Sequence, residues 1–67
     1  MRGKIKTMKT DKGFGFIRPD DGGADVFFHA TGVQRPVMFL DLSIGEQVEY
    51  DVEQSDRGLR AIGVSPV

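Results

Sequence analysis

The chain has no cysteine, which removes disulfide staples and thiolate metal sites together. A single histidine leaves too few ligands for most zinc constellations. No apolar run approaches the ~20 residues that cross a bilayer, and the opening residues lack a signal peptide's hydrophobic region. No serine or cysteine nucleophile beside an acid–base partner is evident, which argues against an enzyme and against a small-molecule substrate. These absences describe a small domain suited to a reducing cytoplasm, with no membrane, no metal and no cofactor in its chemistry. Its 67 residues make one domain, near the lower limit for a self-supporting core. A monomer is the expected state.

An excess of either charge is also missing, since nine Lys and Arg oppose ten Asp and Glu. The distribution is uneven, however. Residues 1–18 hold Arg2, Lys4, Lys6, Lys9, Lys12 and Arg18 against Asp11 alone, and the remainder holds three arginines against nine carboxylates. Such segregation can give one small domain a basic face and an acidic back.

What the chain does have is a pair of aromatic runs, Lys12-Gly13-Phe14-Gly15-Phe16-Ile17 and Asp25-Val26-Phe27-Phe28-His29. Strand alternation puts Phe14, Phe16 and Arg18 on one face and Gly13, Gly15 and Ile17 on the other. A strand built only for a core would not set its rings opposite glycines. In the second run Val26 and Phe28 share one face, Phe27 and His29 the other. Antiparallel pairing of the two gathers Phe14, Phe16, Phe27 and His29 into one cluster, with Ile17, Val26 and Phe28 left for the core. Rings at a surface beside cations are what an unpaired nucleic-acid strand requires, because bases stack on rings while cations neutralise phosphates. The glycines are not a phosphate loop, since no helix follows them.

In chain order, Gly3–Thr10 reads as a first strand with Ile5 inward and a bulge near Thr7-Met8-Lys9. Thr10-Asp11-Lys12-Gly13 turns into the second strand, which stops at Pro19. Asp20-Asp21-Gly22-Gly23 turns into the third strand, Ala24–Ala30. Thr31–Gln34 is expected to make a short helical turn, followed by a long irregular connection. There Leu42 and Ile44 are expected beneath the sheet and Phe39 at the aromatic face. Val48, Tyr50 and Val52 alternate with Glu49, Asp51 and Glu53 in a fourth strand, Gln47–Gln54, with an acidic outer side. After Ser55-Asp56-Arg57-Gly58, a last strand Leu59–Val64 turns Ile62 and Val64 inward. Five short antiparallel strands with no substantial helix suit a small closed barrel, since closure removes edges.

On the two aromatic runs, with Gly3-Lys4-Ile5-Lys6, Gly45-Glu46-Gln47-Val48 and Arg57-Gly58 around them, the chain resembles a cold-shock domain over essentially its whole length, residues 1–67. The resemblance implies an all-β, five-stranded antiparallel barrel of the oligonucleotide-binding type. It implies binding of single-stranded RNA or DNA with little sequence selectivity, and the melting of RNA secondary structure. It places stacking residues at Phe14, Phe16, Phe27 and His29, phosphate-contacting or edge-polar residues at Lys6, Lys12, Asp25 and Arg57, and a loop aromatic at Phe39. The chain departs from the family at Thr7, where a tryptophan is typical, and at Met8 and Ala30, where phenylalanines are usual. Met8 is expected to recover part of a lost ring contact through its sulfur. These departures and the net charge motivate an alternative, a barrel of the same fold serving mainly as a protein-interaction module.

Overall fold

The computed structural model describes residues 1–56 and 58–67. Its strands are β1 (Arg2–Lys9), β2 (Phe14–Pro19), β3 (Val26–His29), β4 (Gln47–Ser55) and β5 (Gly58–Pro66). Single 3-10 turns at Ala30–Gly32 and Phe39–Asp41 lie in the connection between β3 and β4. The strands close in the order β1-β2-β3-β5-β4, with β4 returning to β1. Four of the pairings are antiparallel, and β3 with β5 is parallel, not antiparallel as expected. The reason is parity. Antiparallel neighbours must alternate in direction, so a ring with an odd number of strands contains at least one parallel pair.

Two bulges decide which side chains enter the core. In β1 the register passes from Ile5↔Ile17 to Thr7↔Phe16, so Lys6 is the extra residue. Ile5 and Met8 consequently point inward, and Thr7 and Lys9 outward. In β5 the register passes from Glu49↔Ser65 to Asp51↔Ile62, which sets Gly63 and Val64 against Tyr50 alone, and Gly63 takes a positive φ of 61° there. Ala61 and Val64 are therefore the buried pair. Ile62, expected inward by simple alternation, is only half-buried.

The core is centred on Phe28, Ile5, Ile17, Val48 and Val64, each under 2% exposed. Phe28 fits because Gly15 faces it. A Cβ on Gly15 would lie 2.8 Å from a ring carbon of Phe28 and would overlap the Thr7 carbonyl oxygen. The glycine therefore leaves room for a ring inside the barrel. From the long connection, Leu42 is buried as expected, whereas Ile44 is 66% exposed beside the turn that leads into β4.

Candidate nucleic-acid interface

The registers place the outward residues in lateral rows across the barrel. One row runs Thr7, Phe16, Phe27, Arg60, Glu53, crossing all five strands through directly paired positions. A second runs Lys9, Phe14, His29. Phe14, Phe16 and Phe27 are all half-buried and touch one another. Ring centroids lie 5.5 Å apart for Phe14–Phe27, 5.9 Å for Phe16–Phe27 and 6.1 Å for Phe14–Phe16. The last two pairs meet edge to face, the arrangement that ring quadrupoles favour. Mutual packing of this kind fixes the rings before any ligand arrives. Beside them lies an open groove of about 680 Å³, lined by the three rings with Ser55, Asp56, Leu59 and Arg60.

His29 is exposed and caps the following 3-10 turn. The Thr31 backbone N–H donates to its Nδ1 at 3.1 Å, which assigns the ring proton to Nε2. Its second nitrogen is thus available as an outward donor. Lys6, on the bulge, lies 2.9 Å from Asp25, so these two polar residues form an exposed ion pair. Lys12 is exposed on the tight turn between β1 and β2. Arg18 and Lys4 are paired across β1 and β2 on the other side of the rings. Cations therefore flank the aromatic cluster at both ends. Among the described residues, no group of acidic, histidine or cysteine side chains is arranged to hold a metal ion.

Two expected site residues lie elsewhere. Phe39 is 7% exposed and packs its ring 5.7 Å from that of Phe28, because the 3-10 turn it begins directs it inward. Its neighbours Met38 and Leu40 are the outward apolar residues, at 65% and 74% exposure. Met8 packs against the core, since the Lys6 bulge places it directly opposite Gly15. Arg57 lies outside the described residues. Conversely, Leu59 and Arg60 line the groove without having been singled out. Arg60 had a legible signal: strict inward alternation through Ile62 and Val64 would have buried an arginine, which is rarely tolerated.

An odd-stranded closed barrel carrying a solvent-facing aromatic cluster edged by cations defines an oligonucleotide-binding type of domain. The chain belongs to the cold-shock domain family, the family model described as "'Cold-shock' DNA-binding domain" matching residues 1–67. It is similar to the Escherichia coli (strain K12) protein "Cold shock-like protein CspG", with 47% identity over 64 residues, 96% of this chain and 90% of that protein. It is also similar to "Probable cold shock protein A" of Mycolicibacterium smegmatis, with 44% identity over 66 residues, 98% of this chain and 97% of that protein. Among solved structures, "drosophila Unr CSD456" matches with a TM-score of 0.76 at 31% identity, over 98% of this chain and 26% of that one. No helix among the described residues is long and apolar enough to cross a membrane.

Proposed function

We propose that this domain binds single-stranded RNA or DNA with little sequence selectivity and acts as a passive RNA chaperone. Bases stack on Phe14, Phe27 and His29, with Phe16 extending the surface, while Lys6, Lys12 and Arg57 screen phosphates. The observation that carries this reading is the triad of mutually packed rings on the solvent side of the barrel, with cations on both flanks. Burying these rings would stabilise the fold more than leaving them in water, so their exposure calls for a ligand with flat apolar faces. A domain that binds open strands and not paired ones shifts a hairpin toward the open form by mass action, without ATP. No bond is made or broken, and the natural setting in this reading is a monomer in the cytoplasm.

The test is a fluorescence anisotropy titration with a labelled thymidine heptamer at two salt concentrations. The slope of log K against log salt should lie near −0.7 for each phosphate neutralised. A hairpin RNA with a fluorophore and quencher at its ends should brighten on addition of protein, without nucleotide cofactor. Absence of binding at low salt would overturn the reading.

The outward Met38, Leu40 and Ile44 favour a second reading, a barrel that docks a protein through its long loop. That reading requires Met38→Ser with Leu40→Ser to abolish partner capture and leave oligonucleotide binding unchanged.

A further inference from the structure

We infer that Arg60, held by Glu53, forms a base-reading station beside the stacking rings, selecting a base with two adjacent hydrogen-bond acceptors, guanine above all. The inference deepens the proposed function and rests on it. Arg60 is the direct neighbour of Phe27 across the parallel β3–β5 pair and lines the same groove. It is therefore the next position a strand reaches after leaving the rings along their row.

Its guanidinium is positioned. Nε and Nη2 both donate to Glu53 Oε1, at 2.6 and 2.5 Å, across the paired Glu53↔Arg60 position of β4 and β5. That contact occupies one edge of the planar group. The Nη1–Nη2 edge takes no acceptor among the described residues. Two parallel N–H donors on this edge match two adjacent acceptors on a base. Guanine offers O6 and N7, and cytosine in a single strand offers N3 and O2. Thymine, uracil and adenine interpose a donor and fit one bond only. The carboxylate has a second effect. It offsets much of the arginine's field, so Arg60 contributes less sequence-independent attraction to phosphates than a cation without a carboxylate partner would. Glu53 is thus a positioning residue, and Arg60 the group that touches the base.

The test uses the full chain and thymidine heptamers carrying one guanosine, walked through successive positions. The wild-type protein should bind one of these oligomers at least about five-fold more tightly than all-thymidine. R60Q should remove that preference, costing the guanosine oligomer more affinity than all-thymidine, with the salt slope unchanged. R60K, whose ammonium also donates to guanine O6 and N7 but lacks the planar fork held by Glu53, should weaken the preference. E53Q should reduce the preference while steepening the salt slope, as a released guanidinium becomes available to phosphate. Equal binding of all oligomers by the wild type would overturn the inference, as would a preference that survives R60Q. So would R60Q weakening every oligomer equally with a shallower salt slope, which marks a phosphate contact. Loss of all-thymidine binding in the wild type would instead defeat the underlying stacking reading.

Discussion

Truncating Phe27 and Phe28 to alanine, one at a time, separates the outer face of β3 from its inner face. Phe28 is fully buried and fills the space opposite Gly15. Removing a buried phenylalanine ring costs about 3–5 kcal/mol. A 67-residue chain, at about 0.05–0.15 kcal/mol per residue, has only roughly 3–10 kcal/mol to lose. Phe28→Ala therefore removes between a third and all of the stability. Phe27 is half-buried, and its truncation gives up two ring contacts worth about 0.5–1.5 kcal/mol each. That leaves a folded domain in which one stacked base is lost, a deficit of about 1–3 kcal/mol or roughly 5- to 150-fold in affinity. Urea unfolding followed by circular dichroism measures the first effect, and anisotropy with the labelled thymidine heptamer measures the second. Phe28→Leu serves where Phe28→Ala does not fold, since it should be destabilised yet bind normally at low urea. A Phe27→Ala protein that binds like wild type, or one less stable than Phe28→Ala, would refute the assignment of the two faces.

Three further outcomes follow from the same geometry. Thr7→Trp places a ring at the head of the row opposite Phe16 and should tighten heptamer binding about five-fold or more in the same titration; unchanged affinity would mean that bases do not follow this row. Gly15→Ala should destabilise by about 1–3 kcal/mol in urea, toward the upper end, because the obstacle includes the rigid Thr7 carbonyl as well as Phe28. Tyr50 is held above its ordinary value of 10.0 by burial, with smaller contributions from Asp21 and Asp20. The folded state keeps this proton longer than the unfolded chain, so its contribution to stability is complete below pH 10 and is lost as pH rises through the raised value. The difference in unfolding free energy between wild type and Tyr50→Phe should be constant below that pH and shrink above it.

Short-range pattern made the aromatic face legible. Phe14, Phe16, Phe27 and His29 follow strict alternation on two strands joined by a short connection, and pairing them required no knowledge of the rest of the barrel. Ile5, Ile17, Val26, Phe28, Val48 and Tyr50 were legible as core for the same reason. Reading failed where the alternation was broken. The bulge at Lys6 carries Met8 inward, and the one at Gly63 exchanges Ile62 for Ala61 in the core. Neither shift has a local marker beyond a glycine and an imperfect pattern. Phe39 was misplaced for a different reason: a 3-10 turn in a structureless-looking connection has no period to read, and the Phe28 ring it packs on is remote in sequence. Arg60 reaches Phe27 only because closure brings β5 beside β3, and no run of adjacent residues contains that information.

Closure also explains how a chain with a net charge of −1 can present an attractive face to a polyanion. The acidic strand is β4, and in the barrel it is separated from β2 by β1 and from β3 by β5. Two of its carboxylates are moreover matched locally, Glu49 with Arg2 at 3.8 Å and Glu53 with Arg60. Charges are screened beyond about 8 Å at physiological ionic strength, whereas the barrel measures 24 × 24 × 19 Å. In register, Lys4, Arg18, Lys9 and Lys12 on β1, β2 and the turn between them are the cations that flank the rings, so a phosphate there feels them more strongly than it feels the carboxylates on the far side of the barrel. The net charge averages over a distance the solvent does not transmit. What a strand meets is set by the register that puts cations on both flanks of the aromatic cluster.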